Sequence, residues 1–301
     1  MSSETIGNPI SWGARRLVGM GRGLGAAVEG IGSHDMMRPQ VNRIGMADIR
    51  AALRLGADDF AAFRSDVFFA VILYPVIGFV LAIWAFNVGQ LHLLFPLIAG
   101  FPLVGPVAAI GLYAMSRQRE FGEDAGWGAA LASLRGPVLG PVLALGLLLM
   151  AIFIMWIYAA HLIWTVTLGP APSLSVMDFL RATFTTNEGW TMIVAGCAVG
   201  FVFAAVVLCI SLVSFPMLID RRVGVPVALA TSLEVARRNP ATVAAWGLIV
   251  AVLLLLGTLP LFVGLIIVLP ILGHATWHLY RRAVSWPIER VEMTEVEIEE
   301  V

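Results

Sequence analysis

Residues 241–280 read ATVAAWGLIVAVLLLLGTLPLFVGLIIVLPILGHATWHLY, and Arg281-Arg282 follow. The stretch contains no Asp, Glu, Lys or Arg, and Gly257-Thr-Leu-Pro260 breaks it in the middle. A bilayer core about 30 Å thick takes about 20 helical residues to cross. The stretch therefore reads as two spans, about 241–257 and 260–280, joined by a tight turn. In hydrocarbon every backbone N–H and C=O must be satisfied within its own segment, so both spans must be helical.

Composition carries this outward to the whole chain. It is 59% hydrophobic and 13% charged, with a mean hydropathy of +0.89. Soluble domains carry about a quarter charged residues, so lipid must be the solvent for much of this surface. A net charge of −1 argues against a nucleic-acid footprint, which would need a basic face. All 19 cationic side chains are Arg. Cys197 and Cys209 fall on one predicted helix, about 18 Å apart at 1.5 Å per residue, too far to bridge.

Four further spans are predicted, at about 67–87, 93–116, 137–165 and 190–218. The fold class is all-α: a polytopic membrane protein of six transmembrane helices arranged as three hairpins. Residues 1–45 form a flexible Arg/Gly-rich arm, 46–284 the membrane domain and 285–301 an acidic tail. Each hairpin is preceded by an amphipathic helix. In 46–64, Ile49, Leu53, Phe60 and Phe63 share one side, and Asp48, Arg50, Arg54, Asp58 and Asp59 take the other, as in a helix lying in the interface plane. Trp127–Arg135 forms the second. In 220–239, Pro226 suits a first turn, and Leu229, Leu233 and Ala236 share a face. Asp178–Thr185 reads as a short surface helix.

The second span contains Pro96, Pro102 and Pro106. Proline removes a backbone donor and clashes with the preceding turn, so the helix should kink or unwind near Phe101-Pro102-Leu-Val-Gly105-Pro106. The fourth carries Gly196-xxx-Gly200 followed by Ala204, a small-residue face that lets helices approach. Pro102…Gly105…Tyr113 parallels Pro270…Gly273…Tyr280, with Pro216 as a weaker third copy. This suggests three parallel units of surface helix, span and proline-bearing span.

Orientation follows from the arginines. Eight precede the first span, three lie between spans two and three, four between four and five, and three after the last; only Arg181 falls on the other side. The positive-inside rule puts both termini in the cytoplasm. Trp84, Trp164 and Trp190 then mark the far interface, and Trp246 and Trp277 the near one.

The segments Gly100-Phe-Pro-Leu-Val-Gly-Pro106, Thr185-Thr-Asn-Glu-Gly189 and Leu269-Pro-Ile-Leu-Gly-His-Ala-Thr-Trp-His-Leu-Tyr-Arg-Arg282 resemble a bacterial family numbered 2189 among the domains of unknown function. The resemblance covers about residues 44–284. It implies a multi-pass inner-membrane protein, and some members carry a loose label of cytochrome c oxidase subunit I.

The histidines argue against that label as literal chemistry. Haem and copper need several His facing one another. His92 and His161 fall near the periplasmic ends of spans two and three, and His274 and His278 near the cytoplasmic end of the sixth, most of a bilayer away. His274 and His278, beside Trp277, read as interfacial groups bonding to headgroups or helix ends; a metal or haem contact is the alternative. No phosphate loop, paired catalytic carboxylates or Ser-His-Asp pattern stands out, and the spans show no ionisable group beyond the terminal His.

The sequence therefore points to a non-enzymatic inner-membrane accessory or scaffold protein without a cofactor. Its partners would be the lipid bilayer and a membrane complex, a respiratory one among the options, or a second copy; nucleic acid is not among them. A small-solute channel or transporter using the broken second span is the alternative. Candidate functional residues are Phe101, Pro102, Gly105, Pro106, Pro216, Pro270, Gly273, His274, Trp277 and His278.

Overall fold

The computed structural model describes residues 39–71, 91–100, 105–123, 138–169, 175–260 and 262–287, with a few isolated positions between them. The described residues are helical almost throughout. In order come a two-residue strand β1 (Gln40–Val41), α1 (Met46–Val71), α2 (Leu91–Gly100), α3 (Gly105–Ala108) and α4 (Ile110–Glu120). There follow α5 (Leu139–Thr167), α6 (Val176–Thr185), α7 (Asn187–Ser211), α8 (Ser214–Asp220), α9 (Val225–Arg238), α10 (Pro240–Thr258), α11 (Leu265–Ala283) and β2 (Val284–Ser285). Among the described residues, three helical stretches are long and apolar enough to cross a membrane: Leu139–Thr167, Asn187–Asp220 and Pro240–Thr258. The arm before residue 39, the end of the acidic tail, Phe101, Pro102, Trp84 and nearly all of the Trp127–Arg135 helix lie outside the described residues.

The opening stretch folds into two helices, α10 and α11, joined by a turn, with α11 starting at Leu265 rather than at 260. Gly257 and Gly264 make that turn tight: a Cβ on Gly264 would sit 2.8 Å from Gly257 Cα. Phe262 takes a left-handed φ of 67° within it.

The largest departure from expectation is α1. It is one helix from Met46 to Val71, packed lengthwise and antiparallel on α11 rather than lying apart in the interface plane. Asp48 meets Arg282 at 3.2 Å, and Gly56 lies beside Ile271 and Ala275. The buried stripe is Ile49, Ala52, Gly56 and Asp59, a spacing of three and four that defines one helix face. Ala52 and Gly56 let the backbones close: a Cβ on Gly56 would stand 2.6 Å from Ala275 N and 2.7 Å from Ile271 O. Asp59 belongs to this inner face, not to the charged side.

Three other expectations change. The fourth span is interrupted at Leu212-Val213, between α7 and α8. Pro216 has no N–H to offer the Leu212 carbonyl, and buried hydroxyls take over part of the local pairing. Ser232 Oγ donates to Cys209 O at 2.7 Å and accepts from Val213 N at 3.4 Å; Ser214 Oγ donates to Ala228 O at 3.1 Å. Second, α9 buries Ala228, Thr231, Ser232 and Val235 and leaves Leu233 exposed, because its small polar face serves the break. Third, of the small-residue face on α7 only Gly200 meets a close neighbour, Trp156, while Gly196 faces open space and Ala204 is exposed.

Trp246 and Trp277 are buried in the core rather than placed in an interfacial belt. Residues 40–45 belong to the fold and not to a flexible arm. Gln40 pairs with Ser285 and Val41 with Val284, antiparallel. Asn239 accepts from Ile44 N at 2.9 Å and donates to Asn42 O at 3.1 Å. Short helix α6 forms as expected, with Ser175 as its N-cap.

Gly56→Ala is expected to destabilise the fold by about 2 kcal/mol or more, the cost of overpacking against backbone that cannot yield. Gly196→Ala should be neutral or mildly stabilising, since helix propensity favours Ala by about 1 kcal/mol. Thermal melts of both variants in one detergent test the contrast.

Candidate functional site

The site is a network of polar side chains at one end of the bundle, where α1, α4, α8 and α11 meet. Asp59 is its centre. Its side chain is almost fully buried. Arg119 Nη1 donates to Oδ1 at 2.6 Å; Ser116 Oγ donates to Oδ2 at 2.6 Å and His278 Nε2 at 2.8 Å. These partners come from α4 and α11, so a single carboxylate ties three helices.

Proton bookkeeping fixes the rest. An ionised carboxylate only accepts, so the one proton of Ser116 points to Asp59. Ser116 Oγ then accepts from His274 Nδ1, 2.7 Å away, which fixes the His274 tautomer with Nδ1 protonated. His274 Nε2 is left as a bare lone pair, fully buried and without a hydrogen-bond partner among the described residues. An orphan of this kind costs about 1–3 kcal/mol.

Two more carboxylates extend the network. Glu120 accepts from Trp277 Nε1 at 2.7 Å and from Arg281 Nε at 2.8 Å. Asp220, on α8, accepts from Tyr280 Oη at 2.7 Å and lies 3.6 Å from both Arg117 Nε and Arg281 Nη1. Trp286 Nε1 closes over Tyr280 Oη at 3.3 Å. Burial pushes the Asp59 carboxyl up, but the hydrogen bonds it accepts from His278 and Ser116 outweigh that. The group is held below its ordinary 3.8.

This geometry decides some chemistry. The Ser116 hydroxyl proton goes to the carboxylate and not to an imidazole, and Ser116 and His274 are fully buried; an acyl-transfer triad requires the reverse order and an open nucleophile. Among the described residues no three His, Cys, Asp or Glu side chains converge as metal ligands would. His278 Nε2 and His274 Nδ1 are already engaged.

Of the residues singled out from sequence, His274, Trp277 and His278 come together here. His274 is fully buried and meets Ser116 near the end of α4, so of the two partners expected for it the headgroup is ruled out and the neighbouring helix is found. Gly273 lies against Leu112 with no room for a Cβ, and Pro216 and Pro270 are buried in α8 and α11 beside the network. Gly105 and Pro106 lie half-buried in α3, outside it. Asp59, Ser116, Arg119, Glu120, Asp220 and Tyr280 were missed. For Asp59 a signal existed: it continues the Ala52–Gly56 stripe. At the other end His92 and His161 form a pair, Nε2 to Nδ1 at 3.0 Å, with His92 stacked on Trp164 at 3.7 Å.

A bundle of long apolar helices with its polar groups knotted at one end defines an integral membrane protein. A family of predicted integral membrane proteins (DUF2189) has a model that matches residues 94–220. The match is shorter than the resemblance suggested and leaves out the 269–282 motif. No curated protein and no solved structure matches the chain.

Asp59→Asn keeps the shape and removes the charge, and should lower stability by about 2–3 kcal/mol at pH 7 through the lost charge-assisted bonds. The folded-state value lies below the unfolded one. The wild-type contribution is therefore full above pH 3.8 and is lost as pH falls through the folded value. Melts between pH 3 and 8 should show that acid limb in the wild type and a flatter one in Asp59→Asn.

Proposed function

We propose that the chain is a six-span protein of the bacterial inner membrane with both termini in the cytoplasm. In this reading it works as a non-enzymatic accessory or scaffold protein, holding lipid or a membrane complex against its outer faces. The observation that carries it is the contrast between inside and outside. The buried carboxylates of Asp59 and Asp220 and the exposed one of Glu120 are each matched by donors within the bundle, while the flanks expose Leu147, Ile154, Val166, Phe201, Leu248 and Leu255. Polar chemistry is spent on holding helices together, and the surface left over is apolar.

Two features support the topology. The β1–β2 pairing brings residues 40 and 285 to one place, which an even number of crossings gives. The proline-associated helices α4, α8 and α11 pack on one another at the centre, as the return helices of three repeated hairpins would.

In a background with Cys197 and Cys209 changed to Ser, single cysteines at positions 43 and 287 should both label only from the cytoplasmic side. Labelling from opposite sides would overturn the topology. Purification in mild detergent should return a reproducible lipid or membrane-protein partner. A lone monomer with neither would sink the scaffold reading, and solute uptake into proteoliposomes would favour the channel instead.

A further inference from the structure

The described arginines at the network end of the bundle fall into two sets. Arg117, Arg119, Arg221, Arg238, Arg281 and Arg282 each lie within 4.0 Å of a carboxylate. Arg43, Arg50, Arg54, Arg222 and Arg237 are exposed and make no ion pair among the described residues. The second set is ordered by helix geometry. Arg50 and Arg54 continue from Met46 at a spacing of four, on the side of α1 turned away from the Ile49–Ala52–Gly56–Asp59 stripe. On α9 the outward row is Pro226, Ala230, Leu233 and Arg237, all exposed, opposite the face that serves the α7–α8 break. Met46, Leu55 and Leu233 are exposed apolar side chains beside these cations.

These positions share one end of the bundle. Asp48, two residues before Arg50, meets Arg282 at the end of α11. Arg238, next to Arg237, donates to Val41 O at 3.3 Å, and Arg43 follows two residues on. Among the described side chains, Asp58 is the one exposed carboxylate on the α1 outer row. A rim of unneutralised guanidinium groups interleaved with exposed apolar side chains, at the end of an apolar bundle, has the chemistry of a phospholipid headgroup layer. Guanidinium binds phosphate in a bidentate fork, and cations beside an anionic leaflet each add to attraction.

We propose that Arg50 and Arg54 on α1, Arg222 just before α9 and Arg237 in its last turn form a docking rim for acidic phospholipid headgroups, with Met46, Leu55 and Leu233 seated among the upper acyl chains. The inference rests on the membrane reading above and names the lipid class for it. The paired arginines hold the fold together; the unpaired ones hold the bilayer. Arg43, on the segment between β1 and α1, sits close enough to join them.

The test uses the full chain in nanodiscs of phosphatidylcholine with a graded fraction of phosphatidylglycerol, reading the lipids retained after gentle extraction by native mass spectrometry. Wild type should retain phosphatidylglycerol in excess of its bulk fraction, and 300 mM salt should reduce the excess. R50Q/R54Q and R222Q/R237Q should each reduce retention, by about fivefold per arginine if each contributes as a membrane-surface cation does. R181Q, an exposed arginine on α6 outside this rim, should change nothing, and inorganic phosphate at millimolar concentration should not displace the lipid. Equal retention of the two lipids, or an unchanged quadruple variant, overturns the inference. So does loss of a co-purifying acidic protein from the quadruple variant with lipid retention intact. A chain that alkaline carbonate strips from the membrane would instead defeat the membrane reading, which keeps the two failures apart.

Discussion

A carboxylate enclosed by apolar helices is stable only if its charge is met on every side. Asp59 meets that condition through three donors that bind it to two other helices: Arg119 and Ser116 from α4, His278 from α11. The constraint is mutual. Remove the carboxylate and the His274–Ser116 pair loses its terminus; remove α1 and Arg119 and His278 face no anion. Glu120 and Asp220 repeat the scheme one layer outward, with Arg281 shared between them. The end of the bundle is a set of interlocked charges whose members come from chain segments more than two hundred residues apart.

Such a knot needs close backbones. The pairing of α1 with α11 depends on Gly56 and Ala52 offering no bulk, and Gly273 similarly admits Leu112 from α4. Dispersion between helices is the main attraction available in lipid, where the hydrophobic effect no longer favours association. Small residues supply contact and the buried ions supply specificity. Side-chain hydroxyls do the same at the α7–α8 break, where Ser232 satisfies the Cys209 carbonyl and the Val213 amide that an unbroken helix would have paired with each other, and Ser214 ties the break to Ala228 O on α9.

How much of this the sequence exposed depends on the kind of signal. Long apolar runs are local, so α5, α7 and the α10–α11 hairpin were legible, as was the capped helix α6. Faces that depend on a partner were not. Hydropathy put Asp59 with Asp58 and Arg54, because charge alone gives no sign of a buried acceptor; only the small residues three and seven positions earlier pointed inward. The α9 face was read from its leucines, yet a broken neighbour needed hydroxyls more than aliphatic bulk. Trp277 looked like an interfacial anchor because an indole N–H is at home there, but Glu120 offers it the same satisfaction inside. For His274 a helix partner was legible but not which one: its acceptor, Ser116, lies 158 residues away in sequence.

The separation of paired from unpaired arginines carries the argument one step further. If cations at the network end served only to balance internal anions, their number would follow that of the network carboxylates. Asp59, Glu120 and Asp220 are already matched by Arg119, Arg281 and Arg117, and Asp48 by Arg282. The arginines on the outer rows of α1 and α9 have no such counterpart in the fold, and helix propensity does not require them there, since Glu or Gln would serve as well. An uncompensated positive rim raises the electrostatic energy of the isolated protein, and a negative leaflet lowers it again. The charge distribution is therefore incomplete without the surface it rests on, and the choice of Arg at these positions is explained by the bilayer more directly than by the bundle.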